Sequence, residues 1–188
     1  MANETVILSV LNTIKIADPL SIGELLYAKG LYSSVHSARV QAQKALNALV
    51  DLGKLERGPG YYRTLDCRST YGDHARLLTK SLAELFKHGE PEIFREHSIK
   101  EVALRPDALV LLKKEGRGLC FVLEVCHTET PEYLNQKVTT WKNWDNSLNY
   151  LSNLLNHRVP HFDIVIVGEA PEGCFEFNRY ITEVVNED

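Results

Sequence analysis

The stretch Ala45–Arg63, ALNALVDLGKLERGPGYYR, decides how the N-terminal part of the chain is expected to fold. Its first half has apolar residues at helical spacing and stops at Gly53, a residue type that commonly ends helices. Its second half places Gly58-Pro59-Gly60 between two short segments rich in charged and aromatic residues, which is typical of a β-hairpin. The stretch therefore predicts a helix followed directly by a hairpin.

Together with the helix of this stretch, the sequence predicts three helices in quick succession. Apolar residues over Val6–Ile14 predict the first, and Ser21 is the expected N-cap of a second helix over Ile22–Ala28. The third helix is predicted over about Ser34–Asp51. One face of it carries small and apolar residues that are expected to pack inward: Val35, Ala38, Ala42, Ala45, Leu46 and Leu49.

The outward face of the third helix carries candidate DNA-reading residues. It offers hydrogen-bonding groups and one apolar side chain, and such a face suits the major groove, where base edges and the thymine methyl group are read. A solvated helix face has the same pattern, so this helix alone does not decide between the two interpretations. The candidates on the helix and at its start are Ser34, His36, Ser37, Arg39, Val40, Gln43 and Lys44.

Two helices, a longer helix and a basic hairpin, in this order, resemble the winged-helix fold over about one third of the chain. The resemblance implies that the third helix enters the major groove. It also implies that Arg57, Tyr61 and Arg63 of the hairpin contact phosphates or the minor groove. A winged helix that contacts another protein is the alternative. On this basis, residues 1–66 are predicted to form a winged-helix DNA-binding domain.

The charge of the chain is unevenly distributed. The net charge is −4, whereas residues 1–64 carry seven Lys/Arg and five Asp/Glu, a balance of +2 that leaves −6 for the rest. A mildly basic N-terminal region in an otherwise acidic chain favours DNA binding by one domain.

The chain has no long apolar run, no basic signal-peptide start and no CxxC pair among its four cysteines. We therefore expect a cytoplasmic protein with free thiols, without a membrane span or a zinc site.

A second domain is predicted over residues 72–188, in the order α-β-β-β-α-β. The strand that ends at Cys126 is almost wholly apolar, so it is expected in the centre of a sheet. Together with the first domain, this gives an α/β fold class (α+β overall). The predicted elements are a helix at Asp73–Lys87, strands at Ile93–Ile99, Asp107–Leu112 and Leu119–Cys126, a long helix at Pro131–Asn156 and a strand at Phe162–Gly168.

The segment RPDALVLL…GLCFVLEVCHTETPEYLNQKVTTW, residues 105–141, places Asp107 at the start of one strand and Glu124 near the end of the next. Here the chain resembles the PD-(D/E)xK superfamily of nucleases with a restriction-endonuclease-like fold. In particular, it resembles the replication-relaxation family of plasmids and phages, whose members also join a winged helix to such a domain. The resemblance covers nearly the whole chain. It implies a Mg²⁺ site at Asp107 and Glu124, since this hard cation prefers oxygen ligands.

The basic residue of this nuclease motif is absent from its usual position. Cys126 stands two residues after Glu124, on the same face of the strand, and a thiol cannot supply the fixed positive charge of a lysine. Lys137 or Gln136 on the following helix is the expected substitute. Alternatively, Asp107 caps the strand and Glu124 simply pairs with Lys137 or Arg105. Glutamates that could complete a metal site are Glu84, which is expected to face solvent, Glu92 and Glu96.

Two functions follow from these patterns. The first is a double-stranded DNA-binding protein of plasmid or phage type that acts in replication or transcription control and needs no cofactor. A homodimer is expected, because one winged helix rarely provides enough contacts for tight binding. The nuclease-like domain would then serve dimerisation or bind a replication or transcription protein. The alternative is a Mg²⁺-dependent endonuclease or nicking enzyme with Asp107 and Glu124 as ligands and Lys137 as the basic group. Cys126 favours the first function, and an adaptor without a DNA role is a third possibility.

Overall fold

The computed structural model describes residues 2–67, 72–127 and 129–186. The chain divides into two compact units, Met1–Lys87 and His88–Asp188. Each unit combines helices with a β-sheet, which confirms the predicted mixed α/β class.

The N-terminal unit contains helices around a small antiparallel sheet with the strand order β1-β3-β2. The three helices and the hairpin that the sequence predicts are confirmed. Pro59 and Gly60 form the hairpin turn, and Gly60 has a φ of +77°, a left-handed conformation that favours glycine. The elements are α1 Ala2–Ile14, β1 Ile16–Ala17, α2 Pro19–Ala28, α3 Val35–Asp51, β2 Leu55–Gly58, β3 Tyr61–Thr64 and α4 Asp73–Leu85.

The predicted domain boundary, between residues 66 and 72, was wrong by one helix. α4 belongs to the N-terminal unit, where its Thr79 hydroxyl donates a 2.9 Å hydrogen bond to the backbone carbonyl of Ile16. Its apolar stripe, with Leu78 and Leu82 fully buried, supplies part of this unit's core. The irregular polar segment before α4 suggested a linker, but the apolar face of the helix decides where it packs.

The predicted N-cap of α2 was also wrong. The cap is Asp18, whose Oδ1 accepts hydrogen bonds from the backbone N–H groups of Leu20 at 2.9 Å and Ser21 at 3.0 Å. Pro19 occupies the first helical turn, where its fixed φ and missing N–H are favourable. The helix therefore begins three residues earlier than expected, at Pro19 instead of Ile22.

The C-terminal unit is built on a five-stranded sheet with the order β4-β5-β6-β7-β8. β5 is antiparallel to both β4 and β6, and β7 runs parallel to both β6 and β8. β6 lies in the centre, as predicted. The elements are β4 Glu90–Arg95, a 3₁₀ turn Lys100–Val102, β5 Ala108–Lys114, β6 Arg117–Val125, α5 Pro131–Asn143, α6 Ser147–Leu154, β7 Asp163–Val167, β8 Phe175–Glu176, α7 Phe177–Tyr180 and a π-helical turn Ile181–Val185.

The single long helix predicted over Pro131–Asn156 is two helices. Trp144 leaves the helical conformation (φ −87°, ψ 97°) at the end of α5. Its ring then packs 5.8 Å from the ring of Trp141 and 5.1 Å from that of Tyr150, measured between centroids. Aromatic packing against the core thus favours a break that the helical spacing of apolar residues does not reveal.

Alternation along β6 decides which side chains meet α5. Val122 packs in one core cluster with Leu134 and Val138 of α5, whereas the ring of Phe121 lies 5.1 Å from that of Tyr180 in α7. Since alternate strand residues share a face, Glu124 lies on the side of α5. Across the parts of the chain that the structure describes, no helix is long and apolar enough to cross a membrane.

Candidate functional site

A buried ion pair joins β6 to α5 in the C-terminal unit. The Glu124 side chain is fully buried and that of Lys137 is 9% exposed, and the Lys137 ammonium group donates a hydrogen bond to Glu124 Oε2. The structure therefore brings Lys137 to the glutamate, as the sequence allows. Arg105, the other expected partner, pairs instead with Glu96 at 2.6 Å.

Asp107 lies beside this pair at the end of the sheet. Ala108 pairs with Leu123 across β5 and β6, so the antiparallel register places Asp107 next to Glu124. Asp107 Oδ2 accepts a 2.7 Å hydrogen bond from the backbone N–H of Val125. The two carboxyl groups of the predicted nuclease motif are thus brought together, and the first is fixed by the strand that carries the second.

The three groups shift one another's proton affinity. Burial raises the pKa of Glu124 to about 8, the attraction of Lys137 acts against this shift, and the charge of Asp107 adds to it. Burial lowers the pKa of Lys137, but the attraction of Glu124 and Asp107 outweighs burial and the net shift is upward. The lysine is therefore charged at neutral pH, while Glu124 can take up a proton near neutrality.

The two carboxyl groups fit as ligands of a divalent cation. Glu124 Oε1 is buried, and the described residues offer it no hydrogen-bond partner. Mg²⁺ usually takes only one or two protein carboxylates and keeps several waters. A cluster of three or more His, Cys, Asp or Glu side chains is not found within residues 2–67, 72–127 and 129–186, so a cation here would rely on Asp107, Glu124 and water.

The remaining candidates of the nuclease motif do not join the pair. Cys126 packs at the edge of the core cluster, and Gln136 is exposed. Glu92 pairs with Lys113 at 3.4 Å. Glu84, which was expected to face solvent, is half-buried. It pairs with Lys87, and both residues belong to the N-terminal unit. The predicted completion of the site by one of these glutamates therefore receives no support.

Glu129 is a residue that the sequence analysis missed. Its Oε2 is buried, with no hydrogen-bond partner among the described residues. Its charge helps to raise the pKa of Lys137. The available signal was its place in the loop between β6 and α5, just before Thr130, the N-cap of α5.

A second candidate site is the outward face of α3. His36, Val40 and Lys44 are exposed, and their spacing of four residues places them in one stripe along the helix. Ala38, Ala42, Leu46 and Leu49 are buried on the opposite side, as predicted, while Val35 and Ala45 are only partly buried. Ser34 is the N-cap, and its Oγ accepts a 3.1 Å hydrogen bond from the N–H of Ser37.

Two of the predicted DNA-binding arginines form ion pairs inside the unit. Arg39 Nη2 lies 2.7 Å from Glu24 Oε1 and links α3 to α2. Arg63 Nη2 lies 2.7 Å from Glu56 Oε2 across the hairpin. Both acids reduce the positive charge that these arginines present to a phosphate.

Gln43 is also engaged within the unit. Its amide donates hydrogen bonds to the hydroxyl of Tyr62 and, at 3.3 Å, to Asn47 Oδ1. The Tyr62 hydroxyl in turn donates a 2.5 Å hydrogen bond to Asn47 Oδ1. Tyr62 is only 2% exposed, so this network fixes α3 against the hairpin.

The hairpin presents two further predicted residues. Arg57 is exposed, and its guanidinium carbon lies 6.0 Å from the centre of the Tyr62 ring. Tyr61 covers Gly58 so closely that a Cβ there would lie 2.1 Å from the Tyr61 ring. The hairpin therefore holds Arg57 outward while Tyr61 packs over the turn.

Replacing Tyr62 with phenylalanine is expected to lower the free energy of unfolding by about 1–2 kcal/mol, because two partly buried polar side chains, Gln43 and Asn47, lose the hydroxyl between them. Urea unfolding followed by circular dichroism measures the change. Tyr27→Phe is the control, since that side chain is 43% exposed. Equal stability of the two variants would show that the network does not hold α3 to the hairpin.

Comparison with known proteins gives no match: no family model, no curated protein and no solved structure is significantly similar to the chain. The resemblance to the replication-relaxation family therefore stays a prediction.

Proposed function

We propose that the N-terminal unit is a winged helix that binds double-stranded DNA. The observation that carries the proposal is the exposed stripe of His36, Val40 and Lys44 on α3. The opposite face of this helix is buried, and the same unit contains the β1-β3-β2 sheet. A rigid helix with an exposed polar stripe is the element that enters a major groove in helix-turn-helix proteins.

Each exposed residue has a chemical role in this proposal. Lys44 and Arg57 supply positive charge for phosphates, which provides most of the affinity for any duplex. His36 offers ring nitrogens to base edges, and Val40 offers a methyl-sized contact to thymine. Arg39, Gln43 and Arg63 act mainly by fixing the helix and the hairpin, since each already has a partner within the unit.

Lys44→Ala and Arg57→Ala are each expected to weaken binding to duplexes of any sequence, because each removes one phosphate contact. The slope of log K against log salt should fall by about one unit for each variant. Fluorescence anisotropy with a labelled duplex at several salt concentrations measures both quantities. Arg117→Ala, an exposed arginine in the C-terminal unit, is the control. Slopes unchanged in all three variants would contradict the proposal.

The resemblance to the replication-relaxation family extends this proposal to a biological setting. It supports a role in replication or transcription control of a plasmid or phage. It also supports a homodimer in which the C-terminal unit mediates dimerisation or binds a replication or transcription protein.

A second candidate function is metal-dependent DNA cleavage by the C-terminal unit. The observation that favours it is the contact of Lys137 with Glu124, next to Asp107 and to a buried carboxylate oxygen that lacks a partner among the described residues. Lys137 supplies the positive charge that Cys126 cannot. Mg²⁺ held by Asp107 and Glu124 would supply Lewis-acid chemistry and an activated water. Lys137 would offset the negative charge that develops on a phosphate under attack.

A further inference from the structure

A groove of about 730 Å³ lies in the N-terminal unit, between the start of α2, the tip of the hairpin and the outer face of α4. Its volume is within the roughly 300–1,000 Å³ that small-molecule sites usually have. Its walls include neither the exposed stripe of α3 (His36, Val40 and Lys44) nor the ion pair of Glu124 with Lys137. The groove is therefore free for another ligand.

One wall of the groove is apolar and another is basic. Leu20, which is 56% exposed, lines the groove with Pro59 and Leu77. Arg76 and Lys80, four residues apart on α4, line it as well and share one helix face. An exposed apolar surface beside two cations fits a molecule that has both an apolar body and an anionic group.

The two cations are only weakly neutralised. Lys80 has no side-chain ion pair or hydrogen bond with any residue that the structure describes. Arg76 Nη2 lies 3.2 Å from Asp73, and both side chains are more than 60% exposed, at 63% and 64%. Exposed pairs of this kind contribute little, so the arginine remains able to bind another anion.

The acidic residues of the groove are occupied by internal partners. Asp18 accepts hydrogen bonds from the start of α2 and, through Oδ2, a 2.8 Å hydrogen bond from the Ser21 hydroxyl. Glu24 is paired with Arg39. Arg76 and Lys80 of α4 are therefore the charged groups of the groove with the weakest internal partners.

We propose that this groove binds a small amphipathic anion. Its apolar body packs against Leu20, Pro59 and Leu77, and its carboxylate, phosphate or sulfonate group contacts Arg76 and Lys80. Gln43 also lines the groove, and together with Asn47 it joins α3 to Tyr62. Occupancy of the groove is thereby linked to the position of α3 and the hairpin. A ligand in the groove is therefore expected to change the affinity for DNA. This regulatory half of the proposal rests on the proposed DNA-binding function.

Anilinonaphthalene sulfonate, an aromatic anion, is a suitable probe for the full chain. Fluorescence titration should give one saturable site. The double variant Arg76→Gln/Lys80→Gln should weaken it about tenfold or more, as expected for losing two charge-assisted contacts. Leu77→Asp should weaken it as well. Lys113→Gln/Arg117→Gln, with the same change of charge in the C-terminal unit, should leave it unchanged. Circular dichroism confirms that each variant is folded.

Two results would overturn the ligand site: no saturable binding to the wild-type chain, or equal affinity in the wild type and the Arg76/Lys80 double variant. The effect on DNA binding is tested by DNA affinity at a probe concentration near the wild-type dissociation constant, which should change in the wild type and clearly less in the double variant. Unchanged affinity in the wild type would contradict it. A chain that binds the probe but never binds DNA would contradict the proposed function and leave the ligand site intact.

Discussion

Replacing Lys137 with methionine is expected to lower the free energy of unfolding by about 3–5 kcal/mol at mildly alkaline pH. The substitution leaves Glu124 buried without its counter-charge, and loss of one partner of a buried pair usually costs this much. Urea unfolding followed by tryptophan fluorescence measures the change. Lys142→Met is the control, because Lys142 is exposed on the same helix; it should stay within about 0.5 kcal/mol of the wild type.

The cost of Lys137→Met should depend on pH. The ordinary pKa of a glutamate is 4.5, and burial raises that of Glu124 to about 8. The folded state therefore holds a proton that the unfolded state releases, so the stability that this group contributes falls as pH rises from about 4.5 to about 8. Without Lys137, the charged carboxylate is penalised further. The variant should thus lose less stability at about pH 5 than at about pH 9.

Glu124→Gln is the matching variant, because an amide keeps the shape of the side chain and does not titrate in this range. It should flatten the dependence of stability on pH between about 4.5 and 8. Lys137→Met would contradict the buried pair of Lys137 and Glu124 if it lost the same stability at about pH 5 and at about pH 9. It would also do so if it were as stable as Lys142→Met.

The second candidate function predicts a large effect on DNA cleavage. With Mg²⁺ or Mn²⁺, the wild-type chain should nick supercoiled plasmid, and Asp107→Ala should lower the rate by about 10²-fold or more, as expected when a positioned catalytic group is lost. Glu124→Gln should act similarly. Gel electrophoresis of the plasmid over time gives the rates, and EDTA should abolish the reaction.

Glu92→Gln is the control for cleavage. This carboxylate lies on β4 of the same sheet but pairs with Lys113, away from Asp107 and Glu124. A wild-type chain that binds DNA but does not cut it with either metal would remove the second candidate. Cleavage that survives in Asp107→Ala would assign the activity to another site or to a contaminant.

Local signals explain why much of the fold could be predicted. Gly53 ends α3 close to its expected place, Ser34 caps the same helix, and Pro59-Gly60 forms the hairpin turn. Each of these residues acts on its own neighbours in the chain. Strand alternation likewise sufficed to predict that Glu124 and Cys126 share one face of their strand.

The errors came from competition between signals or from contacts distant in sequence. Asp18 and Ser21 are both good N-caps, and Pro19 decides between them. The break after α5 depends on the packing of Trp144 against aromatic rings, which helical periodicity does not contain.

Distant partners also limited what the sequence could predict about the site. By angle, Gln43 lies on the predicted DNA-reading face and Arg39 on its flank, yet in the fold they bind Tyr62 and Glu24. The contact of Lys137 with Glu124 remained one of several alternatives, because the orientation of α5 against β6 is a tertiary property.

The central claim is that the N-terminal unit binds double-stranded DNA through α3 and the hairpin. The most direct test compares the affinities of two charge-matched double variants of the full chain for a random duplex. Lys44→Ala/Arg57→Ala should bind at least about tenfold more weakly than the wild type, because two phosphate contacts are lost. Lys113→Ala/Arg117→Ala should bind like the wild type. Equal affinities of the two double variants, or a wild-type chain that does not bind the duplex, would contradict the claim.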